Sequence, residues 1–168
     1  MPRSVSRWAG NRAPQKFARL LIALLTTLRG TAFLYQGQEL GLPQAELPVE
    51  ARRDPEGRDG CRTPMPWTGG VPCAGFSTVA PWLPIPREHL PLSVAAQEAD
   101  PDSLLHWVRR FLAWRRTQPA LIDGEIRFLE LPEPLLGFER GDGITLIFNL
   151  GEVDQVLPWR RLETGDLF

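Results

Sequence analysis

The chain has 168 residues, of which 43% are hydrophobic and 23% are charged, a composition typical of a globular protein and not of a disordered one. Its 19 basic residues are balanced by 20 acidic ones, which excludes nucleic-acid binding through bulk positive charge. Its most apolar run, residues 20–28, is too short for the ~20 residues that a membrane-spanning helix needs. The length predicts one domain. The charge balance and the short apolar run predict no nucleic-acid partner and no membrane partner.

The two cysteines, Cys61 and Cys73, are too few for a disulfide scaffold and lack the partners of a zinc site. We expect both thiols to be free or buried. The chain opens on Met1 and polar residues, without the apolar stretch of a secretory signal, which predicts a cytoplasmic protein. The sequence contains neither a P-loop nor a dinucleotide-binding glycine motif, so we expect no cofactor and no metal.

A helix followed by a strand is predicted near the start of the chain. Apolar residues recur at helical spacing over residues 17–28, with Asn11 or Pro14 as the start and Gly30 as the C-cap. The continuous apolar run at residues 31–35 predicts a strand buried on both faces, as in a parallel sheet. Helix, glycine turn and buried strand together form one unit of an α/β fold.

Residues 43–91 are rich in proline and glycine and show little periodicity, and loops of this length are usually functional. The charged stretch at residues 52–62 does not have the acidic spacing of a calcium loop. Two interpretations stay open for it. It is a solvated charged loop, or it packs through residues 65–67 and its Arg62, beside Trp67, presents a planar donor fork to a ligand.

A second helix is predicted to begin at Asp102 or Ser103 and to end at Pro119. Arg115 and Arg116 would complement the dipole of its last turn. The two histidines, His89 and His106, have no Ser or Cys partner in a nucleophile pattern, and His106 is expected to be structural.

Beyond this helix the hydrophobic period changes to two, which predicts antiparallel strands. Three strands are expected at residues 125–129, 135–140 and 144–149, with a fourth over 153–159. The Gly-Asp-Gly sequence at 141–143 is a good hairpin connection. The fold class is therefore α/β, then β, with a domain boundary at residues 119–124.

Five motifs carry a resemblance to a known family. They are PRSVSRW at 2–8, LRGTAFLYQGQELG at 28–41, GRDGCRTPMPW at 57–67, AGFST at 74–78 and PWLP at 81–84. In order and spacing these motifs resemble the α-glucosidase and oligo-1,6-glucosidase branch of the α-amylase family, glycoside hydrolase family 13. The resemblance covers nearly the whole chain.

The resemblance implies the last strand–helix units of a (β/α)8 TIM barrel, followed by a partial C-terminal antiparallel β-sandwich domain. Residues 31–35 would be the eighth barrel strand, and residues 17–29 the helix before it. Residues 1–120 would end the catalytic barrel, with 43–91 as the active-site loop at the C-terminal face where barrel enzymes bind substrate. Residues 121–168 would form the partial β domain.

The implied activity is that of a retaining α-glucosidase acting on terminal α-linked glucose in oligosaccharides, with Arg62 matching a family arginine near the sugar subsites. Such enzymes use a nucleophile and an acid/base carboxyl about 5–5.5 Å apart, and this family adds a third carboxylate. In the family, two of these groups lie on earlier strands, and the third ends an Asn-His-Asp motif directly before the segment matching residues 1–4. None of Asp54, Glu56 and Asp59 aligns with a catalytic position, so no catalytic residue is assigned.

We therefore expect the C-terminal portion of an α-glucosidase, poorly folded and inactive alone, with a complementing upstream fragment as its partner. One alternative is a sucrose isomerase or trehalose synthase fragment of the same family. Another is a non-catalytic interaction protein that keeps the fold. Intact motifs over the cleft argue against this last alternative, because a scaffold does not need them.

Overall fold

The computed structural model describes residues 3–9 and 15–157. The described α-helices are α1 (Ser4–Ala9), α2 (Gln15–Thr27), α3 (Val94–Glu98), α4 (Leu104–Arg116) and α5 (Pro119–Ile122). The described strands are β1 (Ile126–Leu129), β2 (Leu135–Arg140) and β3 (Ile144–Asn149). No helix in these two ranges is long and apolar enough to cross a membrane.

The chain divides into two compact units. The first comprises Met1–Ala23 and Phe33–Arg109, and the second comprises Leu24–Ala32 and Arg110–Phe168. The first unit holds the long loop and the second holds the sheet. These units differ from the predicted division into a barrel part at residues 1–120 and a β domain at residues 121–168, and that division stays a prediction.

Helix α2 confirms the first predicted helix, and it ends at Thr27, two residues before the expected end. Gly30 follows it with φ 122°, a conformation that glycine adopts without strain. The predicted starts at Asn11 and Pro14 lie outside the described residues. Its buried residues are Ala18, Ile22, Thr26 and Thr27, of which the first three are four residues apart, and its leucines are half-buried.

The strand predicted at residues 31–35 does not form, and this prediction was wrong for the structure described. The segment has no regular structure, and the side chains of Phe33, Leu34 and Tyr35 are 81%, 41% and 47% exposed. A strand buried on both faces needs a neighbouring strand on its hydrogen-bonding edges. Within the described part of the chain, the only sheet is formed by β1, β2 and β3, and it does not include this segment.

The long loop predicted over residues 43–91 is confirmed, because its regular structure is limited to short 3-10 helices. These are Val49–Ala51, Asp59–Cys61, Pro72–Gly75 and Arg87–Leu92. Two small hydrophobic clusters hold the loop. Leu40, Leu42 and Leu105 form one with the half-buried Met65, and Ala45, Leu47 and Leu83 form the other.

The second predicted helix is confirmed as α4, whose first turn is capped by the Ser103 hydroxyl, which accepts from the His106 N–H at 3.4 Å. The helix ends at Arg116, before the predicted stop at Pro119, which instead opens the short helix α5. Proline is favoured at a first helical position because its missing N–H would have no partner there.

The three strands form an antiparallel sheet in the order β1-β2-β3, as predicted. Arg140 pairs with Ile144 across the hairpin, so residues 141–143 are the connection, and Gly141 has φ 51°. Phe138 is fully buried between Phe128 and Phe148, with ring centroids 5.7 and 5.8 Å away. No strand is present over residues 153–157, so this part of the predicted fourth strand was wrong, and residues 158–159 lie outside the described residues.

Candidate functional site

A tight turn begins the first part of the site, directly after Tyr35. The Gln38 N–H donates to the Tyr35 carbonyl at 3.0 Å, and the Leu42 N–H donates to the Gly37 carbonyl at 2.9 Å. Gly37 has φ 82° and Gly41 has φ 67°, which are left-handed conformations that favour glycine. The glycines therefore let the chain reverse within a few residues.

The segment that starts at Arg3 is joined to this turn by side-chain hydrogen bonds. Arg3 is 5% exposed, and its Nη1 donates to the Gln36 carbonyl at 2.5 Å. The Gln38 side chain donates to the Ser4 hydroxyl at 3.0 Å, and the Gln44 N–H donates to the Ser6 hydroxyl at 2.7 Å. Burial lowers the pKa of Arg3 from its usual value.

Asp59 organises the charged part of the long loop from inside. Its side chain is buried, and Oδ2 accepts from the backbone N–H groups of Arg53 and Asp54 at 2.6 and 2.8 Å. Gly60 then passes so close to the chain that a Cβ there would lie 2.3 Å from the Ala45 carbonyl oxygen. These contacts fix the 3-10 turn that precedes Arg62.

Asp54 is the acceptor at the centre of a small charge cluster. Its carboxylate receives Arg58 in a two-point contact, with Nε to Oδ2 at 2.6 Å and Nη2 to Oδ1 at 3.0 Å. Arg62 Nη1 lies 3.5 Å from the same Oδ2, and Glu56 pairs with Arg58 Nη1 at 2.9 Å. Hydrogen bonds from Arg58 hold the pKa of Asp54 well below its usual range.

Arg62, the predicted site residue, is anchored at its backbone and open at its tip. Its N–H donates to the Asp59 carbonyl at 2.8 Å, and its side chain is 39% exposed. Beyond the ion pair with Asp54, its guanidinium has no partner among the described residues. The charged loop is therefore neither wholly solvated nor wholly packed, and it holds one guanidinium fork available to a ligand.

The residues after Arg62 fix the loop to the protein. Thr63 and Pro66 are buried, and Met65 packs on the cluster of Leu40, Leu42 and Leu105. The Trp67 N–H donates to the Ala74 carbonyl and the Trp67 carbonyl accepts from Ala95, at 3.0 and 2.9 Å. The Trp67 side chain is 51% exposed on this hydrogen-bonded backbone.

The other predicted residues have no place in this cluster. His89 is fully buried, and its Nε2 contacts the Pro43 carbonyl at 2.9 Å. His106 contacts the Glu98 carbonyl at 3.1 Å, which fits the structural role expected of it. Cys61 and Cys73 are free thiols, as predicted.

A cavity of about 290 Å³ with a mixed polar and apolar lining lies beside the charged loop. Its wall includes Gln44, Glu46, Arg52 and Asp59. The residues that the structure describes contain no group of three or more His, Cys, Asp or Glu that could hold a metal ion.

Comparison with known proteins gives these motifs a family. Residues 1–124 match the catalytic domain of α-amylase. The chain belongs to the α-amylase family. The match covers most of the chain, including the turn after Tyr35 and the charged loop with Arg62.

The relatives of this chain are considerably longer than the chain itself. A probable α-glucosidase of Rhizobium meliloti (strain 1021) is 48% identical over 96% of this chain and 32% of that protein. The crystal structure of the α-glucosyl transfer enzyme XgtA is 46% identical with a TM-score of 0.84, covering 89% of this chain and 30% of that one. A trehalulose synthase structure is 27% identical with a TM-score of 0.76, covering 87% and 32%. The chain thus spans about a third of the length of the relatives it matches.

The sequence did not predict the structural roles of Arg3, Asp54 and Asp59 in the candidate site. The Arg3 side chain contacts the Gln36 carbonyl, which is distant in the chain, and no local pattern reveals this contact. Asp59 accepts from backbone N–H groups five and six residues earlier, within a loop that has no helical or strand periodicity to indicate the contact. A signal did exist for Asp54, because Asp54, Arg58 and Arg62 follow one another at intervals of four. That spacing is typical of an ion-paired helix, and here it serves a cluster in a loop.

Proposed function

We propose that this chain supplies the C-terminal portion of a retaining α-glucosidase that releases terminal α-linked glucose from oligosaccharides. The 48% identity to a probable α-glucosidase over 96% of the chain supports this activity. The observation that connects this activity to a site is the open guanidinium of Arg62 on a hydrogen-bonded loop. A planar fork of N–H donors suits the hydroxyl groups of a sugar.

The described carboxylates nearest Arg62 are poorly suited to the chemistry of glycoside cleavage. A retaining enzyme needs a carboxylic acid that keeps its proton at neutral pH. Asp54 has a pKa lowered by Arg58, and Asp59 Oδ2 accepts from two backbone N–H groups. We therefore propose that the 168 residues bind substrate but do not cleave it alone, and that a complementing upstream fragment carries the catalytic carboxylates.

We also propose that residues 1–120 belong to the catalytic barrel and residues 121–168 to a partial β-sandwich domain. The match to the catalytic domain ends at residue 124, and β1 begins at Ile126, which supports this boundary.

The test compares the chain alone with a hybrid enzyme. In the hybrid, this chain replaces the aligned third of the Rhizobium meliloti probable α-glucosidase. With 4-nitrophenyl α-glucoside, we expect turnover by the hybrid and none above a buffer blank by the purified chain. An inactive but folded hybrid would count against the α-glucosidase proposal, and turnover by the chain alone would contradict the proposed division of labour.

A second candidate is transfer or isomerisation in place of hydrolysis. It is favoured by the 46% identity to an α-glucosyl transfer enzyme and by the trehalulose synthase among the structural relatives. The hybrid distinguishes the two when it is given maltose or sucrose. Free glucose as the main product supports hydrolysis, whereas an isomeric disaccharide or a longer oligosaccharide supports the second candidate.

A further inference from the structure

Helix α1 is too short to fix its own position. It has six residues, and isolated helices shorter than about 12–15 residues are only marginally stable in water. Its position therefore depends on contacts with other parts of the chain. The Gln38 side chain, in the turn after Tyr35, supplies one of these contacts by donating to the Ser4 hydroxyl at 3.0 Å.

Gln44 makes two further contacts with the same segment. Its side-chain Oε1 accepts from the Arg3 N–H at 3.0 Å, and its own N–H donates to the Ser6 hydroxyl at 2.7 Å. The two hydrogen bonds join residues that are 41 and 38 positions apart in the sequence. Gln44 thus holds the start of α1 at two points, one on each side of Ser4.

The backbone that carries Gln44 is itself fixed by its neighbours. Before it, the Pro43 carbonyl contacts Nε2 of the fully buried His89 at 2.9 Å. After it, the Ala45 N–H donates to the Gly60 carbonyl at 3.1 Å, and Ala45 is 5% exposed. Gln44 is therefore a fixed point to which the start of α1 is attached.

We propose that Gln44 is a positioning residue that aligns the catalytic carboxylates of the upstream portion with the substrate-binding part of this chain. The inference rests on the proposed function, in which the portion with the carboxylates precedes this chain and continues into the segment that Gln44 holds. Catalysis is sensitive to such alignment, because a displacement of about 1 Å can lower the rate about a hundredfold. Gln44 touches neither the substrate nor a catalytic carboxylate in this account.

The main experiment measures kcat and KM of the hybrid enzyme with 4-nitrophenyl α-glucoside. Q44M removes the acceptor of the Arg3 N–H and is expected to lower kcat about tenfold or more. The value of KM should stay within about threefold, because no substrate contact is removed. Q44E keeps an acceptor oxygen on a side chain of the same length, so its kcat should stay within about threefold of the unaltered hybrid.

The matched control is Q118M. The Gln118 side chain donates to its neighbour Thr117, so the change removes a local contact and should leave kcat and KM within about twofold. A merely structural role for Gln44 would lower the melting temperature of Q44M and leave kcat of the folded hybrid unchanged. An unchanged kcat in Q44M, an equal loss in Q44E, or a comparable loss in Q118M would each overturn the proposal.

A second measurement, on the 168-residue chain, separates this proposal from the proposed function. Hydrogen exchange of the Arg3 amide should be slow in the unaltered chain and in Q44E, and at least about tenfold faster in Q44M. The Trp67 amide, which donates to the Ala74 carbonyl, is the reference and should not change. An Arg3 amide that exchanges freely in the unaltered chain, or equally slowly in Q44M, overturns positioning by Gln44. If the hybrid is inactive while the expected exchange is observed, the proposed function fails and the attachment of this segment by Gln44 stands.

Discussion

Arg140 shows how a single charged residue is accommodated in the interior without a carboxylate partner. It is fully buried, and its guanidinium donates to the carbonyls of Thr27, Leu121 and Gly124 at 2.5, 3.3 and 3.0 Å. Burial lowers its pKa from the usual value. Arg115 lies in the last turn of α4, as predicted, and its side chain also donates to the Thr26 carbonyl at 2.5 Å in the last turn of α2. Carbonyls at the ends of helices carry partial negative charge, so both cations are stabilised there.

Replacing Arg140 by methionine should destabilise the protein strongly. The variant R140M keeps apolar volume but removes the donor from two buried carbonyls and one part-buried carbonyl, at a cost of about 3 kcal/mol or more in free energy of unfolding. Replacing Arg140 by lysine should not restore the stability, because an ammonium group cannot present the planar set of N–H donors of a guanidinium. Urea unfolding measures the loss. The matched control is R127M, whose side chain is 69% exposed and whose loss should cost under about 1 kcal/mol.

His89 predicts a pH dependence of stability. Burial is the main cause that lowers its pKa, and Arg3 adds to it, while the Pro43 carbonyl and Glu88 act in the opposite direction. The unfolded histidine, with its ordinary pKa near 6.5, binds a proton more readily than the folded one. Stability from neutral His89 is therefore present above about pH 6.5 and is lost as the pH falls toward the lowered folded pKa.

We expect the free energy of unfolding to decrease between about pH 7 and pH 5, and H89Q to flatten this decrease. H106Q is the control, because the His106 side chain is 29% exposed whereas His89 is fully buried. Asp54 acts in a separate window, since its lowered pKa contributes stability that is lost only as the pH falls below about 4. A slope between pH 7 and 5 that is the same in H89Q and in the unaltered chain would exclude His89 as its source.

At the scale of elements, the 3-10 turn Asp59–Cys61 depends on the absence of a side chain at Gly60. A Cβ there would lie 2.3 Å from the Ala45 carbonyl oxygen and 2.4 Å from Gln44 Nε2. The Ala45 N–H also donates to the Gly60 carbonyl at 3.1 Å, so the two segments are joined at this point.

G60A should therefore force these backbones apart and destabilise the chain by about 1–3 kcal/mol, the usual cost of overpacking. It should also disturb the Arg62 side chain, because Gly60 lies two residues before it. G143A is the matched control, since a Cβ at Gly143 meets no atom within 4 Å. Equal midpoints of thermal unfolding for the two variants would show that the close approach at Gly60 does not affect stability.

The elements that the sequence predicts well are those with local signals. The spacing of apolar residues locates α2 and α4, and the alternation after residue 124 locates β1, β2 and β3. The segment at residues 31–35 shows the limit of this reasoning. Its composition is that of a buried parallel strand, but strand formation depends on partners that are not encoded in the segment itself. The place of Arg62 in a substrate site stays a prediction. The role of Arg3 could not be predicted because it depends on a contact 33 residues away, and that of Asp59 because its contacts lie within an irregular loop.

At the scale of the whole molecule, the exposed run of Phe33, Leu34 and Tyr35 should change its state in the hybrid enzyme. Hydrogen exchange of amides 31–35 is expected to be fast in the chain alone, where these residues form no strand. In the hybrid, an adjacent barrel strand should protect them by at least about tenfold. Residues 43–47 are a reference within the same sample, because the Ala45 N–H is already hydrogen-bonded. Equal exchange of residues 31–35 in the two proteins would contradict a shared barrel.

In the proposed function, Arg62 contacts the sugar in an α-glucosidase to which this chain contributes one portion. The most direct measurement is kcat/KM for 4-nitrophenyl α-glucoside in the hybrid enzyme with Arg62 and with R62A. Loss of a charged hydrogen-bond donor to the sugar predicts a decrease of about tenfold to a hundredfold in R62A, with an unchanged melting temperature. An R62A hybrid as active as the unaltered one would contradict the claim.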